Sequence, residues 1–208
     1  MPRSLSNILA ALIAVLFAGL AAPSNADAKS KTAIFAGGCF WCVESDFDKV
    51  AGVLSTTSGY IGGSAKTASY KTISGGGTGH YEAVKIVYDP SKVSYDRLLH
   101  TFWRSVDPTD AGGQFCDRGA SYKTGVFVAN ETERKIALAS KNKAAAALGK
   151  SIVTPIVKAG AFFKAEGYHQ NYYKRNPVRY KVYRYGCGRD ARVKALWGSQ
   201  AMAGIKKH

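Results

Sequence analysis

Thr32-Ala33-Ile34-Phe35-Ala36-Gly37-Gly38-Cys39-Phe40-Trp41-Cys42-Val43-Glu44 runs from an apolar segment through two glycines to a thiol and on into helical spacing. The first five residues read as a strand beginning near Lys31. Val43, Phe47, Val50 and Ala51 predict a helix over 43–51. A cysteine at such a strand-to-helix turn faces unpaired backbone N–H groups and the positive end of the helix dipole. Both favour anionic sulfur, so the sequence predicts a lowered Cys39 pKa and a nucleophile at neutral pH. Phe40 and Trp41 add an aromatic wall on which a methyl thioether would pack well. Cysteine is more commonly a buried structural residue. The paired glycines, the paired aromatics and a second thiol at Cys42 favour the reactive reading here.

Outward from this turn, Tyr81–Tyr88 alternates, with Glu82, Val84, Ile86 and Tyr88 on one side of a strand that Asp89-Pro90 ends. Ser94 caps a helix whose buried stripe is Leu98, Leu99, Phe102 and Trp103. Tyr122–Ala129 reads as a strand, and Asn130 or Thr132 caps an alanine-rich helix closed by Gly149. Ile152–Val157, split by Pro155, suits an edge strand. Gly59–Thr78 and Asp107–Gly119 read as long loops, which in compact domains tend to carry function. Beyond Ala161 the chain is rich in tyrosine and basic residues, with one short helix around His169–Lys174. Strands and helices mix without strict alternation, so the predicted class is α+β, as one domain over residues 29–208 with a flexible C-terminal tail.

Residues 1–28 read as a cleavable signal peptide. Arg3 precedes an apolar run from Ile8 to Ala22, Pro23 breaks it, and small residues suit cleavage near Ala26 or Ala28. The run is short for a membrane span, so no stable membrane insertion is expected after cleavage. The competing reading keeps it as an anchor. The expected destination is periplasmic or secreted. The formal net charge of +15 survives loss of the leader, because Arg3 and Asp27 leave together. The basic residues are dispersed and no nucleic-acid module accompanies them, so nucleic acid is not an expected partner. A solvated basic face accounts for them. Cys39, Cys42, Cys116 and Cys187 form one close pair with no second pair at metal-ligand spacing, which argues against zinc.

The run Gly38-Cys39-Phe40-Trp41 resembles the signature of A-type peptide methionine sulfoxide reductases. The likeness continues through Gly59-Tyr60-Ile61-Gly62-Gly63, Tyr70, Gly79-His80-Tyr81-Glu82-Ala83-Val84, Phe102-Trp103, Asp107-Pro108, Asp117-Arg118-Gly119, Tyr122 and Tyr168-His169-Gln170. It implies a two-layer α/β sandwich with ferredoxin-like elements and extensive coil. It also implies reduction of methionine-S-sulfoxide, free or in proteins, with no bound cofactor and with electrons drawn from a thioredoxin-like protein; a monomer is expected, although the sequence carries no signal for the oligomeric state. Cys39 would attack the sulfoxide sulfur and become a sulfenic acid. Glu82, in an apolar strand where desolvation raises a carboxyl pKa, would protonate the departing oxygen. By the same resemblance Tyr70 and Tyr122 would donate hydrogen bonds to that oxygen, Asp117 would order the site, and Phe40 and Trp41 would cup the methyl group. His169 and His80 are read as structural. The resolving thiol stays open between Cys187 and Cys42, with Cys116 behind them. Glycine follows Trp41 in many relatives, so Cys42 is a departure.

Two other readings compete. A thiol–disulfide oxidoreductase would use Cys39-Phe40-Trp41-Cys42 directly, but it would leave Glu82 and the loop tyrosines without a job and needs a cis-proline that only Pro155 could supply. A non-enzymatic basic surface-binding module would use the four cysteines as structural disulfides and would show no acidic thiol.

Overall fold

A computed structural model of the chain describes residues 29–206. The leader expected over 1–28 lies outside them. The elements in chain order are β1 (Lys31–Gly37), α1 (Phe40–Phe47), β2 (Val53–Ile61), α2 (Tyr70–Ile73), β3 (Tyr81–Tyr88), α3 (Tyr95–Trp103), β4 (Gly113–Gln114), β5 (Asp117–Arg118), β6 (Thr124–Val128), α4 (Glu131–Leu148), β7 (Ile156–Lys158), β8 (Phe162–Lys164), α5 (Tyr172–Arg175), α6 (Pro177–Gly186) and α7 (Arg189–Trp197). Six strands form one sheet in the order β7-β6-β1-β3-β2-β8, while β4 and β5 make a separate small hairpin. Within the sheet, β6-β1-β3-β2 pair antiparallel, and the chain runs β1-α1-β2-β3-α3-β6 through them. That is the split βαβ arrangement of ferredoxin-like folds, the sandwich that the resemblance implied, within the α+β class read from the sequence. β7 adds parallel to β6 at one edge, starting just after Pro155, where the missing N–H costs no ladder bond.

One sheet face carries the main core. Phe35 of β1 stacks on Phe102 of α3 at 5.0 Å between ring centroids and meets Phe47 of α1 at 5.5 Å. α4 lies against α3, where the Trp103 indole donates to Ser140 Oγ at 2.9 Å. Asn130 caps α4 through the Glu133 N–H, and Gly149 closes it in the left-handed conformation. The other face has a smaller core of Ala36, Ile61, Ala83 and Phe127.

Four expectations are corrected. The helix after the nucleophile turn starts at Phe40 and ends at Phe47, a turn earlier than predicted. Gly59–Thr78 is not one loop: Gly59–Ile61 complete β2, and Tyr70–Ile73 form α2. Gly59 has to be glycine, because a Cβ there would lie 2.4 Å from the Phe163 carbonyl of the paired strand β8. Asp107–Gly119 holds the β4–β5 hairpin. The segment read as a flexible tail forms α6 and α7, anchored by buried Tyr180, Arg184, Arg189, Val193 and Trp197. No helix among the described residues is long and apolar enough to cross a membrane.

Candidate active site

Cys39 occupies the N-cap of α1 at the end of β1, where Gly38 at φ +80 turns the chain. A Cβ on Gly38 would meet the buried Gln114 side chain at 2.6 Å, so only glycine lets this turn settle against β4. The first N–H of α1, from Phe40, is donated to Glu82 Oε2 at 3.0 Å. Glu82 reaches it from β3, the strand beside β1. One carboxyl group therefore fixes the turn that presents the sulfur.

A cavity of about 60 Å³ opens at this turn, lined by Cys39, Phe40, Trp41, Tyr70, Glu82, Asp117, Tyr122 and Tyr183. Seven of these are sequence candidates, drawn from five separate stretches of chain. Tyr183 is the addition. It comes from α6, its hydroxyl donates to Asp117 Oδ2, and that hydroxyl also lies within hydrogen-bonding reach of Cys39, to which it can donate instead. Its place on α6 could have been found from Tyr180, Tyr183 and Arg184, which share a helical face behind Pro177. Tyr70 heads α2, and its backbone N–H donates to Glu166 Oε1 at 2.9 Å. Glu166 Oε2 accepts from the Tyr60 hydroxyl at 2.7 Å. The Tyr122 hydroxyl makes a hydrogen bond with that of Tyr70, so two phenols meet at one spot.

Trp41 is held on three sides. Its indole N–H donates to His169 Nδ1 at 3.0 Å, Tyr172 stacks on it at 3.7 Å, and Tyr183 meets it edge-on at 5.7 Å. His169 is buried, and burial lowers its pKa, so the ring stays neutral and can accept from the indole. His80 accepts from the Gly63 N–H at 3.2 Å, away from the cavity.

The electrostatics correct one expectation and sharpen another. Burial pushes the Glu82 carboxyl to about 8, with the negative charge of Asp117 contributing and the Phe40 N–H opposing. At neutral pH Glu82 is an acid with a proton to give. Cys39 goes the other way from prediction. It is 6% exposed, and burial raises its pKa well above the ordinary thiol range, aided by the hydrogen bond with Cys42 and the charge of Glu82. The helix-terminus argument fails because α1 has only eight residues and its first N–H already serves Glu82. Cys42, which receives the Cys39 hydrogen bond and faces Arg189 and Arg184, is lowered. Of the two sulfurs, Cys42 is the readier to carry the charge.

Beneath Cys42 lies a buried ionic cluster. Asp46 of α1 pairs with Arg184 at 2.8 Å, and Arg184 also binds Asp190 at 2.7 Å. Arg189 donates to the carbonyls of Gly37 and Ser105, each at 3.0 Å. Cys187 does not line the cavity. It is joined to Cys116 in a disulfide, with Cα atoms 4.8 Å apart, while Cys39 and Cys42 are free and buried. Cys116, Asp117 and Cys187 are the one group among the described residues whose donor atoms lie close enough for a metal. With its two sulfurs bonded to each other, that group offers no thiolate. The site as a whole can bind a small methylated polar group, donate hydrogen bonds to its oxygen, protonate it and attack its sulfur.

Residues 31–201 match the family described as Peptide methionine sulfoxide reductase. The chain is 51% identical to "Peptide methionine sulfoxide reductase MsrA 2" of Caulobacter vibrioides, covering 94% of this chain and 99% of that protein. It is 45% identical to "Peptide methionine sulfoxide reductase MsrA" of Bacillus subtilis, over 83% of this chain and 98% of the other. Among solved structures it resembles Mxr1 from Saccharomyces cerevisiae in reduced form, with TM-score 0.68 and 30% identity over 73% of this chain and 88% of that one. Methionine sulfoxide reductase A of Corynebacterium diphtheriae matches with TM-score 0.64 and 32% identity over 72% and 76%.

Proposed function

Because the chain belongs to the A-type peptide methionine sulfoxide reductase family and so reduces methionine-S-sulfoxide to methionine, repairing oxidised proteins, we propose how its residues divide that work. The methyl group enters between Phe40 and Trp41, and its oxygen lies against the Tyr70 and Tyr122 hydroxyls. Cys39 Sγ attacks the sulfoxide sulfur as Glu82 protonates the oxygen. The thiol proton of Cys39 passes to Cys42 through their hydrogen bond. Methionine leaves, and the oxygen stays on Cys39 as a sulfenic acid. Glu82 is thus the general acid and Asp117 a positioning residue, which holds Tyr183 and, by its charge, keeps Glu82 protonated.

Cys42 then attacks Cys39 Sγ, water departs, and a Cys39–Cys42 disulfide forms. One observation carries this choice of resolving thiol: Cys187 is already bonded to Cys116, and Cys42 is the free cysteine whose side chain meets Cys39. Mass spectrometric mapping after one equivalent of methionine sulfoxide tests it. A Cys39–Cys42 link is expected, and a Cys39–Cys187 link would overturn the assignment.

A thioredoxin-like dithiol protein returns the electrons, since only thiol exchange reopens such a disulfide without a cofactor. We also read the protein as exported to the periplasm or beyond, supported by the Arg3, apolar-run and small-residue pattern of residues 1–28. N-terminal sequencing of the native protein should find a start near Asp27 or Lys29, and an intact Met1 would refute cleavage.

A further inference from the structure

We propose that Glu44, which lies outside the cavity, is a positioning residue for the reaction: by holding the Asn171 N–H it keeps the His169 and Tyr172 rings on Trp41, and so sets how tightly and how selectively the substrate's methyl group is bound. The proposal rests on the reading above that this group enters between Phe40 and Trp41.

Glu44 stands three residues after Trp41 on α1, one turn along the same side of the helix. It is 0% exposed, and it does not line the cavity. Its Oε2 accepts from the Asn171 N–H at 3.0 Å, while Oε1 has no hydrogen bond of full geometry. A carboxyl group buried in this way costs free energy that an apolar side chain there would not. Packing alone therefore does not account for it. What the position gains is a grip on a stretch of chain 127 residues away.

That stretch cannot hold itself. α5 is a single turn of four residues, too short to be stable alone. Its N-cap, Asn171, sits at φ +53, in the left-handed region that residues other than glycine enter at a cost. Contacts from elsewhere tie it down. The Gln170 amide pairs with the backbone of Ser58 in β2, accepting from its N–H at 3.1 Å and donating to its carbonyl at 2.9 Å. Tyr173 donates to Asp48 Oδ2 at 2.7 Å. Gln170 and Asp48 are half-buried, whereas Glu44 is wholly enclosed.

The Glu44 bond also falls between the two rings that touch Trp41. On one side His169 accepts from the indole N–H at 3.0 Å and lies 4.9 Å from the Phe40 ring. On the other, Tyr172 stacks on the indole at 3.7 Å with the planes 7° apart. Release of the Asn171 N–H loosens both rings together, and with them the wall that the methyl group meets. The acid and the first phenol have separate supports, Glu82 in the Phe40 N–H and Tyr70 in Glu166. Binding and selectivity should therefore change while the chemical step stays intact.

The test uses the full chain and single-turnover kinetics on methionine sulfoxide and on ethionine sulfoxide, which has one more methylene. Glu44→Leu is expected to raise the half-saturating concentration of methionine sulfoxide about tenfold, with the saturating rate within about twofold of wild type. Its preference for methyl over ethyl should shrink about fivefold. Glu44→Gln keeps an oxygen for the Asn171 N–H and should stay within about twofold of wild type in each respect. Tyr172→Leu should behave like Glu44→Leu, and the double variant should be impaired far less than the product of the two single effects. If Glu44→Leu does not fold, Glu44→Asp, one methylene short of the N–H, carries the same test with an expected rise of about threefold. An unchanged half-saturation in Glu44→Leu, or in Glu44→Asp in its place, would overturn the proposal. So would a Glu44→Gln as impaired as Glu44→Leu, independent effects of Glu44 and Tyr172, or a lower saturating rate at constant half-saturation. Trp41→Leu separates this role from the reading beneath it. If Trp41→Leu leaves half-saturation and methyl preference unchanged, the wall itself is refuted; if it impairs both while Glu44→Leu is silent, only the role of Glu44 is lost.

Discussion

Glu82→Gln should make the protein more stable at alkaline pH and nearly inactive at every pH. In the folded chain burial pushes the Glu82 carboxyl up to about 8, against an ordinary 4.5. Between those two values the native state keeps a proton that the unfolded chain has released, so stability falls as pH rises through the window and the loss is complete above about 8. At about 1.4 kcal/mol per pH unit the penalty reaches about 5 kcal/mol. Glutamine has no proton to lose, and its amide oxygen can still accept from the Phe40 N–H. Urea unfolding of both proteins at pH 5, 7 and 9 should therefore show the variant gaining on wild type with each step, by a total of about 4 kcal/mol, since a little of the loss already lies below pH 5. Glu44, raised by burial to about 7, is present in both proteins and cancels in the difference. Single-turnover methionine formation should fall by about 10²- to 10⁴-fold, the usual worth of a general acid, and the wild-type rate should decline above about pH 8. A stability difference that stays flat from pH 5 to 9 would mean that Glu82 is ionised at neutrality and cannot be the acid.

Tyr183→Phe removes the hydroxyl shared by Asp117 and Cys39. Single-turnover rates should drop about tenfold or more with KM little changed, since a hydrogen bond to a charged group is worth about 1.5–3 kcal/mol; an unaltered rate would make Tyr183 mere packing. His169→Leu leaves the Trp41 indole without its acceptor. Loss of that one bond, about 1 kcal/mol, should raise KM for methionine sulfoxide about fivefold, and a steady KM would show that stacking on Tyr172 suffices. Gly59→Ala drives a methyl group onto the Phe163 carbonyl and should cost about 1–3 kcal/mol in urea unfolding; a neutral change would mean that β8 yields easily. Cys42→Ser should still release one equivalent of methionine without reductant and then stall with thioredoxin, whereas full thioredoxin turnover would move resolution elsewhere.

The parts of the fold legible in sequence are those whose signals are local. The alternation of Tyr81–Tyr88 and the Asn130 and Gly149 caps of α4 each state their own structure within a few residues. β2 is hidden because Ser55, Thr56, Thr57, Ser58 and Gly59 have the composition of a loop, and only pairing with β3 and β8 makes them a strand. α6 and α7 are hidden for a different reason: their buried anchors include Arg184 and Arg189, satisfied by Asp46 and by backbone carbonyls far away in sequence. Hydrophobic periodicity cannot register a buried arginine. The candidate residues around the cavity could be named through the resemblance to the reductase family, since Glu82, Tyr70 and Tyr122 taken alone read as a solvated carboxylate and packing tyrosines. The sign of the Cys39 shift could not, since it is set by depth beneath other elements rather than by the helix that follows the sulfur.

The grip of Arg189 on the Gly37 carbonyl has a consequence for how the molecule comes into being. The loop that aims the sulfur is among the earliest parts of the folded domain to be synthesised, and the guanidinium that locks it is among the last. A nascent chain can pair its first strands only provisionally until that late residue emerges. Maturation of the reactive centre therefore waits on nearly the whole polypeptide, and a chain cut short before α7 would leave the ribosome with its sulfur unaimed.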